Sequence, residues 1–68
     1  MKEAPSSNHY KQLAIEPITY IERNGLGFHA GNVVKYVSRY KQKNGLDDLK
    51  KAKWYLERLI EIEEGKSE

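Results

Sequence analysis

The sequence predicts an all-α fold, a short N-terminal helix followed by an antiparallel helical hairpin. Three observations carry that expectation. Leu49, Ala52, Leu56, Leu59 and Ile60 recur at helical spacing and form one apolar stripe. Two Asn-Gly pairs, Asn24-Gly25 and Asn44-Gly45, stand where helices would stop and turn. No segment alternates apolar and polar residues as a half-buried strand would.

Each element follows in order. Residues 1–8 are small and polar and are expected to form a disordered tail, with a single helical domain over 9–64 and a short C-terminal tail over 65–68. His9 to Ile15 reads as a short extended or turn segment. Pro17 suits the first turn of a helix, and Glu16 before it favours extended backbone. That first helix runs through Ile18, Tyr20, Ile21 and Arg23 and stops at Asn24-Gly25. Leu26-Gly27-Phe28-His29-Ala30-Gly31 reads as a glycine-punctuated connection. A second helix is expected from about Ala30 or Asn32 to Gln42. Asn44-Gly45 then turns the chain into a third helix from near Leu46 to about Glu63 or Glu64, with Asp47 and Asp48 favourably placed in its first turn.

Sixty-eight residues make one domain at most and bury a modest core. With no cysteine in the chain, neither a disulfide framework nor a cysteine metal site can reinforce it. Trp54 and Ile62 fall off the apolar stripe of the third helix, and Tyr20, Phe28, Tyr36, Tyr40 and Tyr55 add much aromatic surface. A second apolar face predicts homo-oligomerisation. No apolar run approaches the roughly 20 residues of a membrane span, and the N-terminus lacks a hydrophobic signal region. The expectation is a soluble, cytoplasmic protein without a membrane partner.

The net charge of +2 hides an asymmetry. Residues 35–53 carry seven cations against Asp47 and Asp48, whereas residues 54–68 carry five glutamates against two cations. A basic middle beside an acidic tail suggests a local anion site and argues against a uniformly basic coat for nucleic acid.

That site is expected on the second helix. Lys35, Arg39 and Lys43 recur every four residues, which on a helix stacks them on one face, with Asn32 in the same sector. Val33, Val37 and Tyr40 take roughly the opposite face. No acidic residue lies between Glu22 and Asp47 to neutralise the row from within the helix. Tyr36 borders it, and cations beside an aromatic plane suit a phosphate attached to a base. The glycines of 25–31 offer a second possibility, backbone N–H groups at a helix start, although the order is not a P-loop. His9 and His29 lack metal-ligand spacing, so no metal site is expected. Asp47, Asp48 and Glu16 are ordinary helix-start residues or, in an enzyme, Mg²⁺ ligands.

The residues also carry a resemblance. His9-Tyr10, Pro17-Ile18-x-Tyr20-Ile21 and Gly31-Asn32-Val33-Val34-Lys35-Tyr36-x-x-Arg39-Tyr40, followed by Lys43-Asn44-Gly45-x-x-Asp48-Leu49-Lys50-Lys51-Ala52-x-Trp54-Tyr55-Leu56, resemble a small phage domain of uncharacterised function. Its members include the early nucleotide kinase of T-odd coliphages, and the likeness extends from about His9 to Ile60. The resemblance implies phage or prophage origin, action in the cytoplasm of the infected bacterial host, and a small nucleotide ligand. It implies Asn32, Lys35, Arg39 and Lys43 as phosphate contacts and Tyr36 and Tyr40 as base or packing neighbours, with His9 and Tyr10 matching without an assigned role.

The leading expectation is a phage protein that sequesters a small (cyclic) nucleotide signal of host defence in a pocket enclosed by several copies, needing no cofactor. The first alternative is a P-loop-independent nucleoside monophosphate kinase using Mg²⁺, so enzymatic activity stays open and no catalytic residue is assigned. A nucleic-acid-binding module ranks last.

Overall fold

The computed structural model describes residues 13–66. It contains three helices and no strand among the described residues: α1 (Pro17–Arg23), α2 (Phe28–Arg39) and α3 (Leu46–Lys66). The all-α expectation holds. The tail over 1–8 and the His9-Tyr10 pair lie outside the described residues.

α1 forms as its sequence suggests. Pro17 occupies the first turn behind an extended Glu16. The end is a complete Schellman motif: the Leu26 amide donates to the Ile21 carbonyl at 3.0 Å and the Gly25 amide to the Glu22 carbonyl at 3.2 Å. Gly25 takes φ +64°, the left-handed value that this motif requires.

α2 is shifted toward the N-terminus of its expected span. It starts at Phe28, behind Gly27 in extended conformation, and ends at Arg39 rather than Gln42. The reason at the start is Gly31, read from sequence as part of a loop. It is instead a buried helical residue, whose missing Cβ lets α1 approach closely: a methyl there would sit 3.2 Å from Cγ2 of Ile21. The early end follows from backbone bonding. The Gln42 amide donates to Arg39 and the Gly45 amide to Tyr40, at 3.0 and 2.8 Å, with Gly45 at φ +53°. Residues 40–45 thus make the hairpin connection, longer than the Asn-Gly pair alone.

α3 packs antiparallel along α2 and is much the longer, 21 residues against 12. At 1.5 Å per residue its C-terminal third runs past the start of α2. It continues through Gly65 to Lys66, beyond the end expected at Glu63 or Glu64. Its inward row is Asp48, Ala52, Tyr55, Leu59 and Ile62, each buried or half-buried. Ile62 therefore belongs to the inner row, whereas Leu49, Leu56 and Ile60 of the expected stripe are exposed. Ala52 and Pro17 are the buried apolar side chains among the described residues.

Candidate functional site

The most buried side chain described is a charge. Asp48 is 0% exposed and accepts four hydrogen bonds. Arg39 grips it with both ends of its fork: Nε donates to Oδ2 and Nη2 to Oδ1, each at 3.2 Å. The Asn44 backbone amide donates to Oδ2 at 3.2 Å, and Asn44 Nδ2 to Oδ1 at 3.5 Å. Burial works to raise the Asp48 pKa, but the Arg39 hydrogen bonds and charge and the two Asn44 donors outweigh it. The carboxyl is held below its ordinary value. This clamp ties the end of α2, the connection and the first turn of α3 together.

The clamp changes what the cationic row is. Arg39, expected on a phosphate, has its guanidinium on Asp48, with a side chain only 12% exposed. Lys43 lies in the 40–45 connection, beyond the end of α2, and is exposed. The row expected along one helix is thus two helical cations followed by one on the turn.

A different gathering replaces it, centred on the Tyr36 ring. Lys35 Nζ lies 4.6 Å from the ring centroid, the Arg39 guanidinium carbon 4.8 Å and Lys51 Nζ 5.4 Å. Only Arg39 of these faces a carboxylate; Lys35 and Lys51 make no ion pair among the described residues. Among the described residues, one carboxylate beside three cations leaves this aromatic plane net positive. Asn32 and Tyr40 are half-buried on the same helix and its edge.

Aromatic rings extend the plane. Tyr36 stacks on Tyr55 at 6.0 Å between centroids and 13° between planes. Trp54 meets Tyr55 edge-on at 5.0 Å, and Phe28 and His29 close on Tyr55 from the start of α2 at 5.8 and 6.1 Å. Tyr36, Lys51, Trp54 and Tyr55 line a pocket of about 350 Å³. Trp54 is 59% exposed there, a large apolar plane presented to solvent beside cations.

Sequence reasoning put Lys35, Tyr36 and Arg39 into this cluster, left out Lys51, and favoured a core or interface role over base stacking for Trp54 and Tyr55. The missed signal was Lys51-x-x-Trp54-Tyr55, whose i, i+3 and i, i+4 spacings place the three on one side of α3. The other residues considered for chemistry are dispersed. Glu16 precedes α1, Asp47 is exposed, and Asp48 is held by Arg39 and Asn44. No group of three His, Cys, Asp or Glu side chains suited to a metal ion occurs among the described residues.

A larger groove of about 430 Å³ lies between α1 and α2, lined by Ile15, Pro17, Tyr20, Val33, Val34 and Val37, with Ser38 at its edge. This is the face opposite the cations anticipated for Val33 and Val37. It carries no charged lining residue and offers nothing to a phosphate. No described helix is long and apolar enough to cross a membrane.

Comparison with known proteins places the chain in a family without extending to an individual relative. No curated protein and no solved structure gives a significant match. One family model matches residues 4–57, well over half of the chain, and by that match the protein belongs to the family described as "Protein of unknown function (DUF3310)".

Proposed function

We propose that this chain binds a small phosphate-bearing nucleotide at the Tyr36 cluster and holds it without chemical change. The observation that carries the reading is the meeting of Lys35, Arg39 and Lys51 on one tyrosine ring beside the Trp54-Tyr55 pocket. Lys35 and Lys51 supply charge for phosphoryl oxygens. Trp54, with its exposed face, supplies a stacking plane for a base. Arg39 acts mainly through Asp48, holding the two helices so that Lys35 and Lys51, one from each, converge. Lys43, Asn32 and Tyr40 are not among the residues that line the Trp54-Tyr55 pocket, and His9 and Tyr10 are offered as ligand neighbours on the resemblance alone. In a phage setting, sequestration of a cyclic nucleotide made by host defence fits this chemistry, because it needs cations and rings and no metal or base. The protein works as an assembly of copies, since described residues whose buried apolar side chains are Pro17 and Ala52 make little core of their own.

A nucleoside monophosphate kinase is the second reading, favoured by the resemblance to the coliphage enzyme. Its Mg²⁺ would need carboxylates near the cations, and Asp48, the nearest, is occupied by Arg39.

Titration calorimetry with linear and cyclic nucleotides tests the first reading. Lys35→Ala and Lys51→Ala are each expected to weaken binding about tenfold, from ~1.5 kcal/mol per charge-assisted hydrogen bond. An affinity unmoved when both are neutralised overturns the site. Incubation with labelled ATP, Mg²⁺ and each nucleoside monophosphate separates the two readings. Diphosphate formed by the intact chain and abolished in Lys35→Ala favours the kinase, whereas ligand returned unaltered after denaturation favours sequestration.

A further inference from the structure

α3 carries a second apolar row that no described residue covers. Leu46, Leu49, Lys53, Leu56, Ile60 and Glu63 follow one another at steps of three and four, the spacing of a coiled-coil seam. Leu46, Leu49, Leu56 and Ile60 are all exposed, Leu46 by 65% and Ile60 by 47%. The row is distinct from the inward row of Asp48, Ala52, Tyr55, Leu59 and Ile62. Trp54 of the nucleotide site sits about 140° around the helix from Leu49, outside the apolar row but beside its Lys50–Glu57 edge.

The charges flanking the row say what covers it. The first turns of α3 hold Lys50, Lys51 and Lys53 with Asp47 and Asp48, the latter taken by Arg39, and so remain net basic; the last hold Glu57, Glu61, Glu63 and Glu64 with Arg58 and Lys66 and are net acidic. A parallel neighbour of the same sequence would set lysines against lysines and glutamates against glutamates. An antiparallel copy sets the basic half against the acidic half twice over, and a two-fold axis closes the contact. Lys50 and Glu57 lie one heptad apart on the same edge of the row, and neither makes an ion pair among the described residues.

We infer that two copies pair antiparallel along this row of α3. The axis passes between Lys53 and Leu56. Leu49 then packs against the partner's Ile60, the Lys53 stem lies along the partner's Leu56, and Lys50 meets the partner's Glu57, with each contact repeated by symmetry. The pairing sets Trp54, one helical turn from both Lys50 and Glu57, at the rim of the contact; native mass and nucleotide titration read assembly and binding separately.

Sedimentation or light-scattering mass, alongside helical circular dichroism, tests the interface. Lys50→Glu and Glu57→Lys each weaken the dimer at least tenfold, and the double swap K50E/E57K restores it. Failure of the swap to rescue overturns the charge pairing. The absence of cysteine allows a single label at Leu46→Cys for distance measurement. The antiparallel pair separates the two labelled backbone positions by about 25 Å, against about 10 Å for a parallel pair. The short distance overturns the inference, as does a native chain that stays monomeric at high micromolar concentration. So does a dimer untouched by Leu56→Glu but abolished by Val37→Asp, which would put the contact on the α1–α2 groove.

Discussion

At the scale of the residue, the Arg39–Asp48 pair governs both stability and the site. Removing one partner of a buried pair leaves the other charged and uncompensated, which costs about 3–5 kcal/mol. Asp48→Asn is therefore expected to lower the urea midpoint sharply, and Arg39→Ala likewise. Joint replacement by Arg39→Met and Asp48→Leu should be milder than either single change, because no orphan charge remains. A double change as damaging as the two singles combined would mean that the contacts act independently. The pair also sets an acid response. The Asp48 pKa is lowered on folding, so its contribution is complete above the unfolded value of about 3.9 and fades as pH falls through the lower folded value. Melting temperature followed from pH 6 downward should show a component below about pH 4 that is missing in Asp48→Asn.

At the scale of the element, two glycines do opposite things. Gly25 holds φ +64° at the end of α1, so Gly25→Ala strains the Schellman turn and is expected to cost about 1 kcal/mol. Gly65 lies in the last turn of α3 with open space where a Cβ would go. Gly65→Ala is therefore neutral or stabilising by up to ~1 kcal/mol. Denaturation midpoints of the two variants should move apart; a shared direction would contradict the assignment of Gly25 as a turn residue. Gly31 explains why helix periodicity alone misjudged α2. A glycine within a loop and a glycine admitting a neighbouring helix look alike in sequence, and only the approach of Ile21 tells them apart.

At the scale of the whole molecule, the chain has rows to spare. One side of α3 packs on α2, another lies bare, and the α1–α2 groove is apolar as well. A fold with so little internal core should owe part of its stability to association. Melting temperature is then expected to rise by several degrees over about a hundredfold increase in protein concentration. An invariant midpoint would show that the monomer carries its stability alone.

The sequence by itself determined the helices, their order, both ends of α1 and the start of α3, because spacing, Pro17 and the Asn-Gly pairs act locally along the chain. It also picked out Lys35, Tyr36 and Arg39. Only the tertiary structure decided their roles. Whether a cation faces solvent or a carboxylate depends on what the hairpin brings opposite it. Asp48, nine residues from Arg39 in the chain, takes that guanidinium, while Lys51 and Tyr55 arrive from the facing helix to build the site around Tyr36. Periodicity says which side of a helix a residue shares; electrostatic and stacking partners come from another helix, and no spacing within one element encodes them.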